Sequence, residues 1–198
     1  LYHRAARLAN VLRRLGVRKG DRVATFAWNS YRHLELYFAV PCSGAVLHTL
    51  NIRLFPDQIA YIINHAEDRV ILVDDVLLPA LAALRDRLPT VRHLVVMGDG
   101  PIAESWRVPV HRYEDLLADA PEAFDFPLLH EDDAAGMCYT SGTTGEPKGA
   151  VYSHRAVVLH SMAEAMADAL ALSERDTILP IVPMFHVNCW GLPYTASL

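Results

Sequence analysis

Lysine is almost missing from this sequence: of 18 basic residues only Lys19 and Lys148 are lysines, the rest being arginine. Basic charge as a whole is in deficit, because 23 acidic residues bring the net charge to −5. The broad cationic footprint that neutralises a phosphate backbone is therefore lacking, which argues against nucleic-acid binding. Cysteine is scarce too. Cys42, Cys138 and Cys189 are odd in number and far apart with no C-x-x-C pair, so neither a disulfide framework nor a zinc knuckle is indicated, and a reducing cytosol suits them. The first apolar positions are interrupted by Arg4, Arg7, Arg13 and Arg14, which argues against a signal peptide. Between Thr177 and Leu198 there is no charged side chain at all, and that stretch is long enough to span a bilayer. Pro180, Pro183 and Pro193 interrupt it, and lipid would not satisfy His186 or Asn188. A buried strand, loop and helix start are expected there, with no transmembrane segment.

What is present is a substantial apolar complement, 52% of 198 residues, enough for one domain or a domain and a half. Leu1, Ala5, Leu8, Leu12 and Leu15 recur at helical spacing, and Gly16 is a natural stop. The sequence thus opens inside an element, and it closes within an apolar run; a fragment of a longer protein is expected.

Beyond the first helix, strand and helix patterns alternate. Strands are expected at Arg22 to Ala27, Gly44 to Leu50, Arg69 to Asp75 and Arg92 to Gly98. Helices are expected after Ser30 with Leu34, Tyr37 and Phe38 inward, from Pro56 with Ile59, Ile62, Ile63 and Ala66 inward, and over Leu77 to Leu88. This is the pattern of an α/β fold built from parallel β-α-β units with helices on both sheet faces. Prolines 101, 109, 121 and 127 loosen the pattern between Asp99 and Asp133, leaving only Tyr113 to Ala118 helical. We place a boundary there: residues 1–134 form an N-terminal α/β subdomain and 135–198 begin the next. The second part opens with a strand at Ala135 to Thr140, continues through a Gly/Thr loop to a strand at Gly149 to Tyr152, and ends in a long helix capped by Ser153 that runs to about Leu172.

That loop has the makings of an anion cradle. Gly142, Gly145 and Gly149 permit close backbone approach, Ser141, Thr143 and Thr144 add hydroxyls, and Lys148 adds a compact positive charge. It is not a Walker loop, because Pro147 stands where the second glycine belongs and Gly149 where the Ser or Thr belongs. Turn residues of the same kinds also build ordinary β-hairpins, so composition leaves both readings open.

The run Y-T-S-G-T-T-G-E-P-K-G, Tyr139 to Gly149, resembles the phosphate-binding signature of the adenylate-forming (AMP-binding) superfamily, which includes acyl-CoA synthetases. "PMFHVNCWGLPY", Pro183 to Tyr194, and the region Gly20 to Asn51 are similar to further parts of that family, so the resemblance covers essentially the whole chain. The His186-x-x-x-Trp190 arrangement is most similar to bacterial long-chain fatty acyl-CoA synthetases, in which the tryptophan gates an acyl tunnel. The resemblance implies the large N-terminal domain of such an enzyme, with its C-terminal domain absent, using ATP, Mg2+ and CoA on a fatty acid in the cytoplasm. It implies ATP binding by Thr140, Ser141, Gly142, Thr143, Thr144, Gly145 and Lys148, with the Thr140 hydroxyl on Mg2+. Catalytic roles fall to Lys148 and His186, and acid binding to His186, Val187 and Trp190. Related synthetases can form homodimers. Since the glutamate, aspartate and lysine that complete the family's site lie beyond Leu198, this chain alone is expected to be inactive. A ligase for aromatic or shorter acids, or a nucleotide-binding α/β module without chemistry, are the alternatives.

Overall fold

In the computed structural model, which describes residues 1–102, 105–140 and 145–198, the first helix α1 (Tyr2–Arg14) buries Ala5, Leu8, Val11 and Leu12. Gly16 turns the chain with a φ of +82°, which a side chain would resist. Then follow β1 (Arg22–Phe26), α2 (Tyr31–Cys42), β2 (Val46–Thr49), α3 (Pro56–His65) and β3 (Val70–Asp74). The Ser30 hydroxyl accepts the His33 N–H at 3.2 Å and so starts α2. After β3 come α4 (Leu78–Ala82), β4 (His93–Met97), β5 (Val110–Arg112) and α5 (Tyr113–Ala118). The chain continues with β6 (Ala134–Thr140), β7 (Lys148–Ser153), α6 (His154–Ala165) and α7 (Leu192–Thr195).

Among the described residues the strands form one seven-stranded sheet in the order β5-β4-β3-β1-β2-β6-β7. All neighbours are parallel except β6 and β7. Alternate strand residues feed two cores, as the two-residue period requires. Val23, Leu47, Val70, Leu72 and Val95 face α1, α2 and α5. On the opposite side Ala24, Phe26, Ile71, Val73 and Val96 face α3 and α4. Helices therefore cover both faces, and the α/β expectation holds. Because β6 pairs with β2, residues on either side of position 134 share one sheet.

Two helices differ from the sequence expectation. The helix expected over Leu77 to Leu88 is broken into a 3₁₀ turn at Asp75–Leu77, α4, and a second 3₁₀ turn at Arg85–Arg87. Leu78, Leu81 and Leu84, all buried, are spaced by three, which fits the tighter winding. The last long helix ends at Ala165, where Met166 adopts ψ 151°, and does not reach Leu172. Residues Met166 to Ala171 are all exposed, so no packed face supports further turns. β5 lies within the proline-rich stretch, where sequence reasoning placed no strand.

Candidate functional site

The β6–β7 hairpin sets the first half of the site. Thr140 is paired with Lys148, Cys138 with Ala150, and Gly136 with Tyr152. Directly opposed residues of an antiparallel pair project from the same face, and so do residues two apart on one strand. Thr140 and Lys148 thus share a face with Gly136 and Tyr152, which lie four residues along each strand, a distance of about 13 Å at the usual rise. Thr140, Gly145 and Lys148 are exposed, and among the described residues the Thr140 hydroxyl makes a long 3.5 Å contact to the Lys148 carbonyl. Ser141, Gly142, Thr143 and Thr144 lie outside the described residues.

On the other face Tyr139 anchors the hairpin's base. Its hydroxyl is 2.6 Å from His65 Nδ1, and its ring packs 5.3 Å from that of His48. Burial pushes the Tyr139 phenol up to about 12. His48 Nδ1 in turn meets both oxygens of Asp68 at 2.9 Å, both side chains being fully buried. Burial raises the Asp68 carboxyl above its ordinary value, against the opposing pull of His48.

The second half is the segment from Pro180 to Gly191, clamped by one side chain. Asn29 accepts the Met184 N–H at 2.7 Å and donates to the carbonyls of Pro180 and Val182. Phe185 is buried edge-on against Trp28. Next comes a turn in which Val187, Asn188, Cys189, Trp190 and Gly191 take φ of 48°, 47°, 53°, 56° and 83°. Residues four apart, such as His186 and Trp190, would share a face only if a right-handed helix began there; the turn is left-handed, and the spacing does not align them. Each non-glycine residue there costs about 1–2 kcal/mol, so the surroundings must hold it. Asn188, a residue type that tolerates this region, is fixed by the Thr49 hydroxyl, which donates to Asn188 Oδ1 at 2.9 Å. The Cys189 thiol donates to the Val182 carbonyl at 3.1 Å, and burial pushes its pKa up to about 11.

Between this turn and α6 lies an apolar cavity of about 450 Å³. Val187 and Trp190 line it, together with Tyr152, His160, Glu164 and Tyr194. Trp190 is 63% exposed and Val187 40%. The His186 imidazole is exposed at the start of the turn and is not part of the lining. Burial raises the phenols of Tyr152, to about 12, and Tyr194. Sequence reasoning missed His160 and Glu164; their only signal was a four-residue spacing on a helix already expected. It missed Asn188 as a structural hub because nothing local announces a left-handed turn.

The cavity adjoins the hairpin face through Asn188, whose amide lies 3.5 Å from where a Cβ on Gly136 would stand, and through Tyr152. One sheet face therefore carries an exposed threonine–lysine pair and, farther along, a mostly apolar pocket.

A family model described as AMP-binding enzyme matches residues 1–198. The medium-chain-fatty-acid–CoA ligase of Ectopseudomonas oleovorans is 52% identical over 98% of this chain and 36% of its own length. The long-chain-fatty-acid–CoA ligase of Thermus thermophilus is 56% identical over 100% of this chain and 35% of its own. The crystal structure of a long-chain-fatty-acid–CoA ligase from Archaeoglobus fulgidus superposes with a TM-score of 0.84 at 25% identity, over 99% of this chain and 37% of that one. The chain thus spans about a third of the length of the curated relatives it matches. With the match running from the first residue to the last, the chain belongs to the AMP-binding enzyme family.

Proposed function

We propose that the longer protein carrying this chain is an AMP-forming acid–CoA ligase acting on long-chain fatty acids. The observation that carries the reading is the shared sheet face: Thr140 and Lys148 at its open end, and the apolar cavity beside Tyr152 farther along. A polyanion and an acyl chain bound there meet on one side of the sheet. In the first half-reaction a carboxylate oxygen bonds to the α-phosphorus of ATP as the bond from that phosphorus to pyrophosphate breaks. In the second the CoA sulfur bonds to the acyl carbon and AMP leaves.

The obstacle in the first step is the approach of two anions. The Lys148 ammonium offsets charge on the triphosphate, and Ser141, Gly142, Thr143, Thr144 and Gly145 complete the cradle by resemblance. Thr140 presents an exposed hydroxyl oxygen, a donor of the hard kind that Mg2+ takes alongside phosphate oxygens and water. Mg2+ bound there would neutralise the triphosphate and the charge developing on pyrophosphate. By resemblance His186 would lie beside the reacting carboxylate, although its imidazole does not line the cavity, while Val187 and Trp190, which do line it, would border the acyl chain.

Medium-chain acids are the second reading, favoured by the 52% identical medium-chain relative. Because this chain is about a third of its relatives' length, it is not expected to turn over alone. The division into residues 1–134 and 135–198 belongs to the same reading, supported by the proline-rich connection. So does a cytoplasmic location, supported by three free thiols. No helix among the described residues is long and apolar enough to cross a membrane. Homodimerisation rests on the resemblance alone.

The test is exchange of labelled pyrophosphate into ATP by the longer enzyme, over a panel of short, medium, long and aromatic acids. Exchange strongest with long acyl chains supports the reading. A maximum at medium length selects the second, and ATP binding without acid-dependent exchange leaves a module without chemistry.

A further inference from the structure

α6 and the left-handed turn are joined through one imidazole. His160 Nε2 lies 2.9 Å from the Trp190 carbonyl oxygen and 3.3 Å from Glu164 Oε1. Both neighbours are acceptors, so Nε2 carries the proton and donates. Glu164, one helical turn beyond His160 on the same face, is only 13% exposed in its side chain. It is fixed from the other side by the Thr195 hydroxyl, which donates to Oε2 at 2.6 Å. Thr195 belongs to α7, directly after the turn. The turn is thus tied to α6 at Trp190 and again just past its end.

Gly191 shows how closely these parts are fitted. A Cβ built there would stand 2.6 Å from His160 Cδ2 and 2.9 Å from Nε2, at a backbone φ of +83°. Any other residue would displace the imidazole from the carbonyl it serves.

A sparsely populated backbone conformation persists only when its surroundings over-determine it. Asn188 and Thr49 hold the middle of the turn. At its far end the Trp190 side chain is largely exposed and offers little packing of its own.

We propose that His160 is a positioning residue of the acid pocket: with Glu164 it latches the left-handed turn to α6 and so fixes Val187 and Trp190 at the border of the cavity. The identity of the occupant, a fatty acyl chain, rests on the function proposed above; the latch itself does not.

The test reads the latch without reference to activity. Backbone ¹⁵N order parameters of residues 187–191 are measured in the protein, in His160→Leu, and in His160→Gln, whose amide N–H can occupy the place of Nε2. In His160→Leu they fall from the value of about 0.85 typical of rigid backbone to below about 0.6, and in His160→Gln they recover. Gly191→Ala, which leaves the imidazole intact but drives it away, reproduces the loss. His160→Ala replaces the leucine variant should leucine disturb α6. Order parameters unchanged in the leucine or alanine variant, or a glutamine variant as mobile as leucine, overturn the proposal. In the longer enzyme His160→Leu raises KM for the acid about 10-fold, the size expected for a lost hydrogen bond, with KM for ATP unchanged. If order parameters respond but no acid supports exchange, the latch stands and the ligase reading fails. If exchange is robust and the order parameters do not respond, the latch fails alone.

Discussion

Tyr139 stands opposite Gly149 in the hairpin ladder, and its ring occupies the space a side chain on Gly149 would need: a Cβ there would lie 3.1 Å from Tyr139 Cε2 and from Met137 Cε. The glycine that ends the loop motif therefore does structural service, letting the phenol lie flat and reach His65.

Gly149→Val is accordingly expected to force the Tyr139 ring off His65 and His48. Overpacking of this kind costs about 1–3 kcal/mol, with alanine milder than valine. Denaturant midpoints with an unchanged m-value give the magnitude. A valine variant as stable as the parent contradicts the packing argument.

His33 provides a pH dependence of known sign. It is fully buried on α2, with Nδ1 donating to the Trp28 carbonyl at 3.0 Å and Nε2 accepting from the Thr25 hydroxyl at 2.9 Å. Both nitrogens are satisfied only in the neutral ring, and burial lowers its pKa to about 4. An unfolded chain binds the proton near 6.5, so the stabilisation is complete above that pH and is lost as pH falls toward 4. From 6.5 down to 4 the loss is on the order of 3 kcal/mol, one proton over the interval. Unfolding free energies of the parent and of His33→Phe, measured from pH 7 to 4, should differ in slope by up to one proton. Equal slopes refute the assignment.

The fate of these histidines shows what a sequence discloses. The strands were legible because parallel strands buried on both faces are written as aliphatic runs, as in "RVILVDD" around β3. The caps at Ser30 and Ser153 were legible from residue type, and both accept a backbone N–H. The hairpin pair Thr140 and Lys148 could be placed because it is local. The order of strands could not, since β1 between β3 and β2 is decided by long-range pairing. His160 and Glu164 were hidden for the same reason: their meaning depends on a turn some thirty residues later, and "VNCW" carries only Asn188 as a hint of positive φ.

Lys148 and Thr140 should separate function from stability. Both are exposed, so Lys148→Ala and Thr140→Val are expected to change stability by no more than about 0.5 kcal/mol. In the longer enzyme each should lower acid-dependent pyrophosphate exchange by about 10²–10³-fold, the range for removing one preorganised donor at a centre of developing charge. Unaltered exchange in both variants removes them from the mechanism.

Asn188 links the strained turn to the sheet, so its variants separate two contributions. Asn188→Leu places a branched side chain at φ 47°, costing about 1–2 kcal/mol, and strands the buried Thr49 hydroxyl at a further cost of about 1–3 kcal/mol. Asn188→Gly strands the same Thr49 hydroxyl but carries no backbone strain, so it should lie between the parent and leucine variants in thermal stability. Because the turn carries Val187 and Trp190, both substitutions should raise KM for the acid in the longer enzyme more than KM for ATP. A glycine variant less stable than the leucine variant would show that the left-handed backbone is not what Asn188 is there to support.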